Sequence, residues 1–110
     1  MLKVKGNNIK LTRGDTAYLT VPITDTVSKE TYEIDNSDVL TFSVRKNVNA
    51  KKYLFQKVIQ GSNVFKILPT DTSDLRYGTY IYDVQLDMAN GDRFTIIEPS
   101  NFEVTSEVTR

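Results

Sequence analysis

Hydrophobic and polar residues alternate most regularly between residues 75 and 88, which makes this stretch the best-defined element of the chain. Large apolar side chains recur at every second position, with mostly polar side chains between them. Successive side chains of a strand leave it on opposite sides, so a period of two predicts a β-strand with one buried face. Ile81 is the exception, because the pattern sends this apolar side chain to the outer face. The predicted inward residues are Tyr80, Tyr82, Val84, Leu86 and Met88.

A hairpin follows this strand, since residues 89–91 contain the Asn-Gly pair that favours tight turns. A two-residue loop would place Phe94 and Ile96 on the polar face. A three-residue loop instead pairs Leu86 with Phe94 and Val84 with Ile96, which keeps all of them on the buried face. We therefore predict the three-residue loop, with its glycine in the left-handed conformation.

The rest of the chain carries shorter stretches with the same alternation. Pro22 faces outward, which predicts an edge or a bulge there. A Gly6-Asn7 turn would join the first two strands as a hairpin, pairing Leu2 with Leu11, although a bent or split strand would use the same residues. A short helical turn with Thr70 as its N-cap precedes the main strand, and residues 98–100 break the chain after the hairpin. The other predicted strands cover residues 2–5, 9–11, 17–24, 32–34, 39–46, 53–59, 64–68 and 101–105.

The number and spacing of these strands predict the fold class. About eight short strands with almost no helix indicate an all-β, antiparallel β-sandwich, and residues 1–110 suffice for one such domain. Gly78 and Tyr80 match the corner of immunoglobulin-like sandwiches, where a tyrosine hydroxyl bonds back to the upstream backbone. Tyr82 stands where antibody domains place a core cysteine, and Phe42 is the candidate for their core tryptophan. We therefore predict an immunoglobulin-like arrangement with aromatic rings between the sheets.

The charges balance overall but not along the chain. With 14 basic and 14 acidic side chains the net charge is zero, which argues against nucleic acid as a partner. Residues 1–66 hold 11 basic and 6 acidic side chains, giving +5, and residues 67–110 hold 3 and 8, giving −5. Either pairing of opposite charges across adjacent strands or head-to-tail packing between copies of the protein would explain this separation of charge along the chain. No apolar run is long enough for a membrane span, and the N-terminus lacks a signal peptide's apolar region.

The residue types behind most enzyme chemistry are missing. The chain has no histidine and no cysteine, so the commonest general base, nucleophile and zinc ligands are absent. Asp83 and Asp87 share the outer face of one strand about 13 Å apart, too far for an acid–base pair on one sugar. Asp71 and Asp74 lack the spacing of a calcium loop. We predict no enzymatic activity, no catalytic residue, no metal site and no cofactor.

Basic and aromatic side chains alternate between residues 45 and 57. They would form either a patch that binds a polyanion or an edge hairpin. In an edge hairpin, the lysines prevent the sheets of other molecules from pairing with the exposed edge. The edge hairpin is the favoured interpretation. The basic residues of this stretch are Arg45, Lys46, Lys51, Lys52 and Lys57.

Four segments taken in order resemble one known family. They are similar to the immunoglobulin-like N-terminal module of baseplate upper proteins, from tailed phages and prophages of Gram-positive bacteria. The resemblance runs through nearly all of the chain and rests on strand and turn signatures. The segments are residues 5–7 with 9–16, 40–46, 78–84, and 90–92 with 95–100.

The resemblance implies a non-enzymatic structural or attachment module of a phage or prophage tail baseplate. In that family the module attaches the rest of the protein to the central baseplate. The expected partners are other tail or baseplate proteins, with neither nucleic acid nor membrane, and the expected location is the virion, after synthesis in the bacterial host cytoplasm. Because the sequence stops at Arg110 without the family's distal regions, we expect a small virion protein or a trimmed domain. The isolated domain should be a monomer or a weak oligomer.

Two sets of residues are candidates for an interface. Ile81 marks a partly apolar protein-contact surface, because it points outward between two tyrosines. The alternative function is a carbohydrate- or cell-surface-binding sandwich, which would use exposed aromatic rings at Tyr18, Tyr53 or Tyr77.

Overall fold

The computed structural model of the protein describes residues 2–3, 8–25 and 27–106, with the side chains described from residue 8 onward. This part contains nine strands and one helical turn, and none of its helices is long and apolar enough to cross a membrane. The elements are β1 (Leu2–Lys3), β2 (Ile9–Thr12), β3 (Ala17–Thr20), β4 (Thr24–Asp25), β5 (Val39–Arg45), β6 (Phe55–Gln60), β7 (Val64–Ile67), α1 (Pro69–Thr72), β8 (Gly78–Asp87) and β9 (Arg93–Thr105).

The strands form two layers. One layer is a five-stranded sheet in the order β2-β9-β8-β5-β6, which is antiparallel except where β2 runs parallel to β9. The other layer pairs β3 with β7 and β1 with β4. The predicted all-β, immunoglobulin-like sandwich is confirmed, and the main strand of the sequence pattern, β8, lies at the centre of the larger sheet.

Aromatic rings fill the space between the layers. Phe42 on β5 and Tyr82 on β8 stack at 5.1 Å between ring centroids, as expected for residues in place of the tryptophan and cysteine of antibody domains. Phe65 on β7 lies 5.5 Å from Phe42 and joins the two layers. The buried core consists of Val21, Ile23, Leu40, Phe42, Val44, Phe65, Ile67, Tyr82, Val84, Leu86, Ile96, Ile97, Phe102 and Val104.

The corner before β8 has the predicted tyrosine bond. The hydroxyl of Tyr80 donates to the backbone carbonyl of Arg76 at 2.6 Å, and its ring packs partly buried against the core. Gly78, two residues earlier, has a φ of 148°, which residues with a side chain rarely adopt. The tyrosine corner is therefore confirmed.

The helical turn α1 begins earlier than the sequence suggests. Its N-cap is Leu68 and not Thr70, because Pro69 occupies the first helical position, where its fixed φ suits the start of a helix. The Asp71 carboxylate accepts a hydrogen bond from the Leu68 N–H at 2.7 Å, which satisfies a donor close to the start of the turn. The buried Thr72 hydroxyl accepts a bond from the backbone of the β2–β3 turn.

The β8–β9 hairpin has the predicted three-residue loop. Leu86 pairs with Phe94, and the N–H of Met88 donates to the carbonyl of Asp92 at 2.8 Å, which closes the loop. Gly91 has a φ of 95°, the left-handed conformation that the turn requires.

Farther along, two irregularities shift the register of this hairpin. Val84 pairs with Ile97 and not with Ile96 as predicted, because an extra residue on β9 forms a bulge and lets both isoleucines reach the core. Pro99 lies in the second irregularity, before Ser100, where its missing N–H removes no regular ladder bond. The predicted break at this proline is therefore wrong, and β9 runs continuously through it.

The N-terminal segment is split between the layers. Leu2 pairs with Asp25, whereas Leu11 pairs with Val104, so the predicted pairing of Leu2 with Leu11 is wrong and the split strand is observed. The turn proposed at residues 6–7 lies outside the described residues.

The segment at residues 32–34 is not the predicted strand. Only an isolated bridge between Thr31 and Thr24 and one bond from the Tyr32 N–H to the Ile23 carbonyl connect this region to its neighbour. Pro22 is exposed and interrupts the edge between β3 and β4, as its outward position predicts.

Candidate functional site

Ile81 lies on the solvent side of the five-stranded sheet. Tyr82 beside it is buried, whereas Ile81 and Asp83 are partly exposed, so the orientation of Ile81 is the predicted one. In the sheet it lies between Arg45 on β5 and Asn101 on β9. We call the part of this surface away from β2 the outer face. It comprises Val39, Thr41, Ser43 and Arg45 on β5, Gln56, Val58 and Gln60 on β6, Ile81, Asp83, Gln85 and Asp87 on β8, and Arg93 and Thr95 on β9.

The four charged side chains of the outer face form two ion pairs. The Nη2 of Arg45 lies 3.1 Å from Oδ2 of Asp83, and the two side chains are only 20% and 17% exposed. The Nε of Arg93 donates to Oδ1 of Asp87 at 2.6 Å. The outer face therefore carries no net charge, although a quarter of the chain is charged.

Partial burial changes the acidity of Asp83. Burial raises the pKa of its carboxyl group above the ordinary value of 3.8, and the guanidinium of Arg45 opposes that rise because it favours the charged form. The Nε of Arg45 is buried and has no hydrogen-bond partner among the described residues. A buried donor without a partner costs free energy, so this ion pair is incompletely satisfied in the domain alone.

The middle of the outer face is uncharged. The strand register places Val58, Thr41, Gln85 and Thr95 in one row across four strands. Val58 is well exposed. Interface centres are depleted in charged residues, especially lysine and acidic residues, so this composition suits a protein contact. No signal in the sequence marked this row, because its members come from four separate strands.

The three candidate tyrosines are exposed but lie on different elements. Tyr18 points outward from β3 and is 66% exposed, Tyr53 in the β5–β6 connection is 53% exposed, and Tyr77 before β8 is 50% exposed. Tyr18 lies under the ammonium of Lys66, and Tyr77 under the guanidinium of Arg13. The aromatic contacts of the described residues join none of the three tyrosines to another.

The basic stretch between residues 45 and 57 does not form one patch. Arg45 pairs with Asp83, as described above. Lys57 faces the same side of β6 as the partly buried Phe55, and its Nζ lies 2.6 Å from Oδ2 of Asp71 on α1. Three lysines of the β5–β6 connection remain exposed: Lys46, Lys51 and Lys52.

Three of the four carboxylates considered for catalysis or metal binding have other partners. Asp83 and Asp87 each face an arginine, and Asp71 accepts the Leu68 N–H at the start of α1 and pairs with Lys57. Within residues 8–25 and 27–106, no group of three or more acidic side chains is placed to hold a metal ion.

A buried acid lies in a loop that no pattern in the sequence marked as structured. Asp38 is almost fully buried, and its Oδ2 accepts bonds from the Tyr32 hydroxyl at 2.6 Å and from the Asp35 N–H at 2.9 Å. Burial, together with the bond to Asp38, raises the pKa of Tyr32 to about 12. An open groove of about 390 Å³ lies beside this tyrosine, between residues 31–34 and 61–63. The polar run around Asp38 resembles any surface loop, so composition alone could not predict its burial.

No protein-family model matches this chain, and a search of curated proteins finds no match either.

Proposed function

We propose that this domain is a non-enzymatic attachment module of a phage or prophage tail, which docks onto other tail or baseplate proteins through the outer face. The observation that carries the proposal is Ile81, an apolar side chain on a sheet surface whose charges cancel in pairs. Removing apolar and neutral surface from water costs little free energy, whereas burying unpaired charges costs much more.

The Arg45–Asp83 pair adds to this proposal. Its side chains are already largely removed from water in the domain alone, so a partner that covers them adds little further desolvation. Ile81 stands directly beside Arg45 in the register, which places apolar surface next to the pair. Together they would form the centre of the contact, with the row of Thr41 and Gln85 beside it.

The test is a charged substitution at Ile81. We expect Ile81→Asp to abolish pull-down by the tail-tip proteins of the phage that encodes the domain, because it buries an unpaired carboxylate in the contact. The matched control is Val64→Asp, the same kind of change at an exposed position on the opposite sheet, which should bind like the wild type. Melting temperatures of both variants should stay close to that of the wild type. Undiminished binding by Ile81→Asp would reject the outer face as the contact.

Tyrosine variants, compared with Ile81→Asp, separate this proposal from the carbohydrate-binding alternative. That function would need an exposed ring at Tyr18 or Tyr53 to stack on a sugar. Glycan-array binding that is lost in Tyr18→Ala or Tyr53→Ala, but kept in Ile81→Asp, would favour the alternative.

A further inference from the structure

Opposite charges from the two halves of the chain pair within the domain. Arg45 pairs with Asp83, and Lys57 pairs with Asp71. Each pair joins a basic residue from the first 66 positions to an acidic one from the remainder. Part of the charge asymmetry in the sequence is therefore matched internally.

Most of the other described charges lie toward the two ends of the sandwich. The register defines the ends, because β5 begins at Val39 opposite Asp87 at the end of β8 and finishes at Arg45 opposite Ile81 near the start of β8. The connections at residues 21–38, 61–63 and 88–92 lie at the first end, and those at 13–16, 46–54 and 68–77 lie at the second.

The first end is acidic and the second is basic. Asp25 and Arg13 have interactions of their own and are left out of the balance. Among the other described side chains outside the ion pairs, the acidic end has five acidic residues against one lysine, and the basic end has four basic residues against two aspartates. The acidic end holds Glu30, Glu33, Asp35, Asp38 and Asp92, with Lys29. The basic end holds Lys46, Lys51, Lys52 and Arg76, with Asp15 and Asp74.

The two ends are too far apart to neutralise each other. β9 has 13 residues, and a strand of that length spans about 43 Å. The longest dimension of the molecule is 47 Å, and the seven residues of β5 alone separate the connections on either side of that strand by about 23 Å. The Debye length at 0.1 M salt is about 10 Å. Each end therefore interacts electrostatically with other molecules and not with the opposite end.

We propose that the basic end of one copy binds the acidic end of a second copy, which gives weak, salt-sensitive, head-to-tail association. The contact is heterologous, so each added copy leaves one end of each sign free for the next. The cross-section is only 30 by 22 Å, which limits the contact to less than the roughly 800 Å² per partner of a standard interface. The association uses surfaces distinct from the outer face and does not depend on the proposed docking function.

Sedimentation velocity of the intact chain tests this inference. At about 20 mM NaCl the wild type should sediment faster as its concentration rises, and this should disappear at about 300 mM NaCl, where the Debye length is well below 10 Å. Glu30→Lys/Glu33→Lys at the acidic end and Lys51→Glu/Lys52→Glu at the basic end should each weaken the association at least about tenfold at low salt. All of these side chains are exposed.

Two comparisons make the test specific. Lys10→Glu/Lys66→Glu shifts the net charge as much as the basic-end variant does, but on exposed strand positions beside the basic end, so it should weaken the association less than that variant does. An equimolar mixture of the two end variants should recover the association, because the intact basic end of one variant then meets the intact acidic end of the other. Thermal unfolding of each variant checks that it is folded. A wild type that stays monomeric at low salt, or a mixture that fails to recover, would overturn the proposal.

Discussion

At the start of β8, one hydroxyl group connects the corner to the strand. The Tyr80 hydroxyl donates to the Arg76 carbonyl at 2.6 Å, in a partly exposed setting. We expect Tyr80→Phe to lower the free energy of unfolding by about 1 kcal/mol, since water can partly replace the lost donor. Urea denaturation measures the loss. Tyr77→Phe is the control, because that ring is half exposed; equal losses in both variants would show that the corner bond contributes nothing.

Asp83 should titrate at higher pH than an exposed aspartate. Burial raises its pKa above 3.8, opposed by Arg45, so carboxyl NMR titration should give a midpoint above that value and a still higher one in Arg45→Met. Since the folded-state pKa is raised, protonation of Asp83 stabilises the fold below its ordinary pKa, and this contribution is lost as pH rises through the folded-state pKa. A midpoint at or below 3.8 would contradict the burial of this carboxyl.

The inward orientation of Lys57 could not be predicted from the sequence around it. The sequence of β6 has two half-apolar faces, so its pattern does not determine which face is buried. The structure turns Phe55, Lys57 and Ile59 inward, which is tolerated because Asp71 from α1 meets the ammonium group. The partner lies in a different element, and no local periodicity encodes such a contact.

At the scale of elements, the Lys57–Asp71 pair attaches the edge strand β6 to the helical turn α1. Both side chains are mostly buried, at 21% and 15% exposure. A double-mutant cycle with Lys57→Met and Asp71→Asn should give a coupling energy of about 1 kcal/mol. Asparagine keeps an oxygen that can accept the Leu68 N–H, so the cycle isolates the charge interaction. A coupling energy near zero would mean that the two elements are held by apolar packing alone.

Local patterns predicted most strands but not their irregularities. The requirement that Leu86 and Phe94 lie on the buried face was enough to predict the three-residue loop and the pairing of these two residues. It could not predict the pairing of Val84 with Ile97, because both Ile96 and Ile97 are apolar and a bulge lets both be buried. Bulges change the count of residues on one strand, which a strict period of two cannot represent.

The whole molecule has two kinds of surface, which differ in how strongly electrostatic interactions contribute to binding. The outer face is neutral, with its charges paired internally, whereas the two ends carry net charges of opposite sign. Binding through the outer face should therefore depend weakly on salt, and association through the ends should depend on it strongly. The strand count and spacing were enough to predict the sandwich, but the end charges emerge only when the topology brings distant loops together.

The central claim, that the outer face is the docking surface, is tested most directly by an NMR titration. The isotope-labelled domain is mixed with the tail-tip proteins of the phage or prophage proposed to encode it, at about 300 mM NaCl, where end-to-end association is screened. We predict that amide signals shift at Thr41, Ile81 and Gln85, in the centre of the outer face, while those of Tyr18 and Val64 on the opposite sheet stay in place. Shifts confined to Tyr18 and Val64, or no shift with any tail-tip protein, would contradict the claim.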